Sequence, residues 1–219
     1  MASVKVEIFS DLVCPWCFIG KRRFERAVER LQADGLATDL EVVVRPFQLD
    51  PTAPVDESAP VAIAYAKKFG GSEKAEAILR HVTEVAAQDG IEFNMDAALR
   101  ANTLNAHRVL AYVESTRGAS AQMQVNEAIM KAYFTDGRNI ADHEVLAECA
   151  SVVECEPSDV VAMLQSDAFH HDVAEWLAIA AENGITAVPT FIIDDRWSIP
   201  GAQDSEMFER VLRRMLTPQ

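Results

Sequence analysis

The sequence has no apolar run as long as a membrane span requires, and it is short of positive charge. Its 20 Lys and Arg residues are outnumbered by 34 Asp and Glu residues, which gives a formal net charge of -14 at pH 7. A surface of this charge repels phosphate groups and anionic lipid headgroups. The composition therefore predicts a water-soluble globular protein with neither nucleic acid nor membrane among its partners.

Cysteine is also scarce, with four residues among 219, and no secretion signal opens the chain. The first residues enter strand-like alternation at once, without a basic segment followed by a long apolar stretch. We therefore expect a cytoplasmic location. In a reducing compartment, cysteines are catalytic, metal-binding or simply buried more often than they form structural disulfides.

Strand signals are confined to the two ends of the chain. Apolar alternation predicts a strand over 4–9, a helix ending at Gly35 and a second strand over 40–47. Strand, helix, strand is a unit that pairs its strands in parallel. Near the other end, a helix stopping at Asn183-Gly184 precedes strand signals over 190–193 and 197–199, and Asp204 can cap a last helix.

The middle of the chain shows helical signals only, after a linker punctuated by Pro51, Pro54 and Pro60. Ser72 and Asp142 are candidate helix caps there. The two strand-containing ends must pair, because a two-stranded sheet alone is marginal. We predict an α/β fold with a large all-helical insertion, in which 1–51 and 166–219 form one discontinuous domain and 52–165 the insertion.

The tetrapeptide Cys14-Pro15-Trp16-Cys17 stands where the first strand passes into the first helix, the context typical of a redox dithiol. Pro15 suits the first helical position, since its missing N–H would be unpaired there anyway. This places Cys14 at the N-cap, where free amides and the helix dipole favour a thiolate. We expect Cys14 to be the nucleophile and Cys17, one turn further in and shielded, to be the resolving thiol. Trp16 adds no charge between them.

The other interpretations of these cysteines are a zinc site and coincidence. A structural zinc site needs four ligands, usually from two paired knuckles, and the sequence has no second C-x-x-C. The residues available to complete such a site are Cys149, Cys155, His143, His170 and His171, and their spacing fits no knuckle. Cys149 and Cys155 lie at apolar positions, so we expect buried free thiols rather than a second redox pair. We predict no metal.

The order of elements and several sequence runs resemble the DsbA-like thioredoxin-fold family, its FrnE-like branch in particular. The runs are FSDLVCPWCFIG over 9–20, RPF over 45–47, NTLNAHR over 102–108, AVPT over 187–190 and PGAQ over 200–203. The resemblance covers most of the chain and implies a thioredoxin-like fold. It also implies a cis bond at Val188-Pro189, with Pro189 facing the cysteines across the active site.

The same resemblance supplies further candidate site residues. An extended substrate could pair with backbone at Val188 and Thr190. Phe47, Gln203 and Arg45 are implied to line the cleft by resemblance only, whereas for His107 a packing role and a substrate contact are both open. Glu7 corresponds to an acidic position under the active site of relatives, where a carboxylate of raised pKa can shuttle a proton for the resolving cysteine. A solvent-facing Glu7 is equally compatible with the alternation.

We therefore predict a protein disulfide oxidoreductase of the reductase or isomerase type, acting on protein or small-molecule disulfides and thiols. No tightly bound cofactor is expected, glutathione or another thiol is a candidate recycling reductant, and a homodimer is left open. Two alternatives are kept. Related 2-hydroxychromene-2-carboxylate isomerases and kappa-class glutathione transferases bind glutathione without disulfide exchange, but they carry serine where Cys14 stands. A peptide-binding or holdase module would use the cleft without turnover.

Overall fold

The computed structural model describes residues 4–36, 40–55 and 59–216. The predicted α/β fold is confirmed: the described strands and helices follow the order strand, helix, strand, helical insertion, helix, strand, strand, helix. The predicted domain boundaries at 51 and 166 stay a prediction, and the chain ends 1–3 and 217–219 lie outside the described residues.

A mixed four-stranded sheet organises the two ends of the chain. Its strands are β1 (Val4–Ser10), β2 (Leu40–Pro46), β5 (Thr190–Ile193) and β6 (Trp197–Pro200), in the spatial order β2-β1-β5-β6. The strands β1 and β2 are parallel, with Phe9 opposite Arg45, whereas β5 runs antiparallel to both β1 and β6. The parallel pairing expected from the strand-helix-strand unit is thereby confirmed.

The sheet carries helices on both faces. One face packs on α1 (Pro15–Ala33) and α9 (Ser205–Leu216) through a core that includes Ile8, Phe24 and Phe208. The other face carries α8 (His170–Glu182), where Phe9 lies edge-on to Trp176 with 6.3 Å between the ring centroids. Side chains alternate along β1, so consecutive residues of this strand pack against helices on opposite faces of the sheet.

The insertion between β2 and α8 is built largely of helices. They are α2 (Val61–Phe69), α3 (Ser72–Gln88), α4 (Leu104–Arg117), α5 (Ala119–Phe134), α6 (His143–Ala150) and α7 (Pro157–Gln165), with a 3-10 turn at Ser151–Val153. It is not all-helical, because β3 (Ala59–Pro60) and β4 (Leu99–Arg100) form a two-stranded antiparallel ribbon.

Most helix ends follow the sequence signals. The Asp142 carboxylate accepts a hydrogen bond from the Glu144 amide at 2.9 Å, and that of Asp204 accepts one from the Met207 amide at 2.7 Å. Both predicted caps are confirmed. The prediction for Ser72 is wrong, because Gly71 is the N-cap of α3 and Ser72 lies in the first turn. Gly71 has φ +128°, a conformation that glycine adopts without a Cβ penalty.

Candidate active site

The redox motif lies at the start of α1, in a tight turn that follows β1. The Cys14 amide donates a hydrogen bond to the Asp11 carbonyl at 3.0 Å, which closes the turn. Cys14 is the N-cap residue with extended backbone (φ -91°, ψ 111°), and Pro15 occupies the first helical turn. The local geometry predicted for both residues is confirmed. Cys14 therefore stands at a helix N-terminus, a position where the helix dipole favours negative charge.

Cys17 lies one turn further along α1 and is 1% exposed. Burial, followed by the hydrogen bond and charge of the neighbouring Cys14 sulfur, raises the pKa of the Cys17 thiol well above its ordinary value. Hydrogen bonds from the Ser10 hydroxyl and the Asp11 backbone act in the opposite direction and are weaker. The inner thiol of the motif therefore holds its proton firmly.

The wall opposite the cysteines is the turn that leads into β5. The Val188-Pro189 bond is cis, as expected, and the Cys14 thiol donates to the Val188 carbonyl at 3.7 Å. The turn is held from two sides, because the Thr190 hydroxyl donates to the Ala187 carbonyl at 2.8 Å and the Gly201 amide donates to the Pro189 carbonyl at 2.8 Å. The hydroxyl of Thr190 is thus engaged within the turn.

Helix α1 approaches this wall at Gly20. A Cβ at Gly20 would lie 2.9 Å from Cγ of Pro189 and 3.3 Å from Cα of Ala202, so only glycine fits without displacement. The Ala202 carbonyl accepts a hydrogen bond from Arg23 at 2.9 Å, which ties the 200–203 segment to the same helix. Gln203 donates its side-chain amide to the Pro200 carbonyl at 2.7 Å and thereby stiffens this segment.

His81 of α3 and Tyr65 of α2 contribute aromatic rings next to the motif. Trp16 is 38% exposed, and its ring centroid lies 6.3 Å from that of His81 on α3. Tyr65 of α2 packs against the core that includes Cys14. Burial, and then the charge of Cys14, raise the pKa of Tyr65 to about 12. No sequence signal points to Tyr65, because it lies just after the proline-punctuated linker, where the pattern predicts no helix.

Behind the motif, Asp11, Phe47 and His107 form a buried junction. Phe47 is partly buried and packs, like Val188 and Trp176, against the small core around Phe9. His107 is buried, and its Nε2 lies 3.0 Å from the Phe47 carbonyl oxygen and 3.4 Å from Oδ1 of Asp11. Asp11 is fully buried and was not singled out in the sequence, although its place in the run between β1 and Cys14 was a signal that could have identified it.

With this geometry established, comparison with known proteins assigns the family. A model described as DSBA-like thioredoxin domain matches residues 5–213. The chain belongs to this family.

The chain is also similar to individual proteins and solved structures. The chain is 28% identical over 213 residues, 96% of each chain, to the uncharacterized protein YwbO of Bacillus subtilis (strain 168). It is similar to the crystal structure of a probable DsbA oxidoreductase, SCO1869, from Streptomyces coelicolor, with 31% identity, TM-score 0.88 and coverage of 99% and 92% of the two chains. The cytosolic disulfide reductase DsbM from Pseudomonas aeruginosa, solved with GSH, shares the fold at 17% identity, TM-score 0.66 and coverage of 97% and 98%.

Glu7, which the family resemblance places under the active site, lies on the opposite side of the sheet from α1. Glu7 shares the sheet face of Phe9, which is the α8 side and not the side of α1. Burial raises the pKa of Glu7, but hydrogen bonds and charges from Lys5 and Arg45 outweigh it, so the net pKa is lowered. The Arg45 Nε lies 2.7 Å from the Glu7 carboxylate. The expected raised pKa of Glu7 is therefore wrong, and its carboxylate is held as an ion pair.

Arg45 itself is fixed by three neighbours. Besides Glu7, its Nη1 contacts both carboxylate oxygens of Glu114, at 3.0 and 2.9 Å, and its guanidinium lies 3.9 Å from the centre of the Trp176 ring. These contacts place Arg45 in the interface between the sheet, α4 and α8, rather than beside Cys14.

The remaining cysteines are Cys149 and Cys155, both buried with free thiols. The predicted burial of both side chains is confirmed. Burial raises the pKa of Cys149 to about 11, which disfavours its thiolate form at neutral pH. Within the residues described, no group of three or more His, Cys, Asp or Glu side chains is arranged to hold a metal ion. No helix of the described chain is long and apolar enough to span a membrane.

Proposed function

We propose that this member of the DSBA-like family is a cytoplasmic thiol-disulfide oxidoreductase of the reductase or isomerase type. The observation that carries the proposal is the asymmetry of the two thiols. Cys14 stands at a helix N-terminus beside the Val188 carbonyl, whereas Cys17 lies one turn behind it with a raised pKa; both side chains are buried. An attacking and a resolving thiol need this difference.

The chemistry assigned to the pair conserves sulfur, electrons and protons. The Cys14 thiolate attacks one sulfur of a substrate disulfide, and the other sulfur leaves as a thiolate. Cys17 then loses its proton and attacks Cys14, which forms the Cys14-Cys17 disulfide and releases the second substrate thiolate. Two electrons pass from the two cysteines to the substrate, and the two cysteine protons end on its two thiols.

Substrate placement falls to the wall formed by Val188 and Pro189. The backbone at Val188 lies beside the reacting sulfur, and an extended substrate segment pairing with it would hold its disulfide next to Cys14. Trp16 forms part of the exposed rim of the site. We assign protein or small-molecule disulfides as the substrate class.

A thiol must return the oxidised pair to the dithiol form in each turnover of a reductase. We assign this role to glutathione or another small thiol, which needs no tightly bound cofactor. The fold shared with a cytosolic disulfide reductase solved with GSH supports this choice.

Dithiothreitol-dependent reduction of insulin tests the proposed activity. We expect the wild-type protein to accelerate the reaction and both Cys14→Ser and Cys17→Ser to fall to the uncatalysed rate. Cys149→Ala is the matched control, since it removes a buried thiol outside the motif and should retain activity. Wild-type activity in Cys14→Ser would contradict the proposal.

A further inference from the structure

A cavity of about 410 Å³ lies between β2, α4 and α8, apart from the two cysteines of the motif. Small-molecule sites in proteins are concave and mostly apolar, with volumes of about 300–1,000 Å³ and a few polar groups that fix the ligand. The cavity has a volume in this range. Its apolar lining includes Leu110, Phe169, Val173 and Trp176. It therefore has the size and the apolar walls of a site for a small organic molecule.

Two aromatic rings of α8 belong to this lining. Phe169, the N-cap of the helix, has φ +61°, a conformation that residues other than glycine seldom adopt and that is concentrated at functional sites. Its ring lies edge-on to Tyr112, with 5.9 Å between the ring centroids. Trp176 stands two turns further along, and the guanidinium of Arg45 lies 3.9 Å from its ring centre. The wall thus combines apolar area with aromatic faces that attract cations.

Besides His107, the charged side chains of the lining are Arg45, Glu114 and Asp172. Arg45 is neutralised within the protein, since it contacts the carboxylates of Glu114 at 2.9 Å and of Glu7 at 2.7 Å. Asp172, in the first turn of α8, forms no hydrogen bond or ion pair with any residue that the structure describes. The charge of Asp172 is therefore not balanced by a protein group, and the cavity favours a positively charged ligand.

The two carboxylates of the lining retain acceptor positions for such a ligand. Glu114 accepts from Nη1 of Arg45 at 3.0 and 2.9 Å and from Gln122 at 3.1 Å. An ionised carboxylate offers about four acceptor positions, so one remains on Glu114, whereas those of Asp172 are free of protein donors. An ammonium group, with three donors and no acceptor, suits this pair. A ligand carboxylate would meet only Arg45, whose charge Glu7 and Glu114 already balance.

We propose that this cavity binds a small organic cation, namely a primary amine with an apolar body. The apolar body packs against Phe169 and Trp176, and the ammonium group donates to Asp172 and Glu114. The volume is that of a site for a whole small molecule, so we assign a free amine and not a lysine side chain of a partner protein. Binding requires no thiol chemistry, and the inference therefore does not depend on the proposed function.

Isothermal titration calorimetry with three probes of similar shape tests the preference for a cation. The probes are phenethylamine, phenethyl alcohol and phenylpropionate, which share an aromatic body and carry a positive, a zero and a negative charge. The titrations use the full chain at low ionic strength, where salt screens the carboxylates least. We expect the amine to bind about 10-fold more tightly than the alcohol, the effect of one charge-assisted hydrogen bond, and the propionate not to bind.

Asp172→Asn locates the site, because it keeps the shape of the side chain and removes its charge. We expect it to weaken binding of the amine about 10-fold and to leave binding of the alcohol unchanged. The matched control is Glu175→Gln, which removes the same charge from an exposed position of the same helix outside the cavity lining. It should bind the amine as the wild-type protein does. Both positions are exposed, so neither substitution should affect folding.

The comparison of probes and variants decides the inference. Equal affinity of the wild-type protein for the amine and the alcohol, or no binding of any probe, would overturn it. Equal weakening of amine binding by Asp172→Asn and Glu175→Gln would also overturn it, because the amine would then be attracted by the acidic surface in general. These results are obtained without a disulfide substrate, so they are distinct from failure of the insulin-reduction assay, which would contradict the proposed function alone.

Discussion

Glu7 and Asp11 show how one position along a strand or turn decides the chemistry open to a carboxylate. Glu7 belongs to the sheet face that packs on α8, where Lys5 and Arg45 keep it ionised. Asp11 lies after the strand, in the turn that closes on Cys14. The alternation along β1 is compatible both with a Glu7 that lies under the active site and with a Glu7 that faces solvent. Only the packing of α1 and α8 on opposite faces of the sheet shows where its side chain lies.

The ion pair of Glu7 makes the free energy of unfolding depend on pH. Because its pKa is lower in the folded than in the unfolded chain, the carboxylate stabilises the fold above its ordinary pKa, and this stabilisation is lost as the pH falls through the folded-state value. We expect Glu7→Gln to lower the free energy of unfolding by about 1–3 kcal/mol at neutral pH. In urea unfolding, the difference from wild type should shrink below about pH 4.

Glu206→Gln is the control for that series, since its pair with Arg30 is exposed and should contribute nothing measurable. A loss in Glu7→Gln of equal size at acidic and neutral pH would argue against the ion pair as its cause.

Arg108 is a buried cation, 1% exposed, whose hydrogen bonds in the described part of the chain go to carbonyl oxygens and not to carboxylates. Its five N–H groups donate to the carbonyl oxygens of Met163, Leu164, Ser166 and Ala168 and to the side chain of Asn105. The residue thereby caps the C-terminal end of α7 and the turn that follows it, where carbonyl groups have no partner within the helix.

We predict that Arg108→Lys lowers the free energy of unfolding by about 3 kcal/mol or more, because lysine has three donors in place of five, cannot reproduce the planar fork, and leaves at least one of these acceptors unpaired. Urea titration of the purified variant measures this. Arg117→Lys, an exposed position on the same helix, should stay within about 0.5 kcal/mol of wild type. Equal effects of the two substitutions would show that the hydrogen-bond geometry of Arg108 is unimportant.

At the scale of elements, α1 and the edges of the sheet determine the shape of the site. The outer edge of β2 is covered by Gln122 of α5, whose side chain accepts from the Val44 amide at 2.8 Å and donates to its carbonyl at 3.1 Å. This contact closes an edge that could otherwise pair with another strand. Helix α1 can approach the opposite wall only because Gly20 has no side chain.

Gly20→Ala tests that close approach. In an unconstrained helix the substitution stabilises by up to about 1 kcal/mol, because alanine has the higher helix propensity. Here the new Cβ meets the Pro189 ring at 2.9 Å, and we expect a net loss of about 1–3 kcal/mol with slower insulin reduction. Adding Ala202→Gly should restore only part of the loss, because the contact with Pro189 remains. A more stable and fully active Gly20→Ala protein would refute the argument.

At the scale of the whole molecule, the active site and the insertion share one core. The cluster that buries Cys14, Cys17 and Phe18 continues through Tyr133 and Phe134 of α5 into the helices beyond. The insertion therefore supplies side chains that remove Cys17 from water. The raised pKa of Cys17 therefore depends on side chains of the helical insertion as well as on those of α1.

Whether the sequence could predict a feature depends on how far apart in the chain its interacting residues are. The position of Cys14 at a helix start, and the caps at Asp142 and Asp204, depend on neighbours within a few residues, and local signals predicted them correctly. The contact between Asp11 and His107 joins positions 96 residues apart, and hydrophobic periodicity carries no information about such pairs. Tyr65 escaped notice for a similar reason, because its relation to Cys14 exists only after α2 packs on α3.

The central claim is that Cys14 attacks and Cys17 resolves, and trapping of mixed disulfides tests it most directly. The reduced Cys17→Ser protein, incubated with a disulfide-containing protein and then acid-quenched, should accumulate a covalent complex through Cys14, because attack survives and resolution does not. Peptide mapping should find Cys14 in the linkage, and Cys14→Ser should trap far less. Accumulation of complexes by Cys14→Ser through Cys17, with none in Cys17→Ser, would contradict the assignment of the two roles.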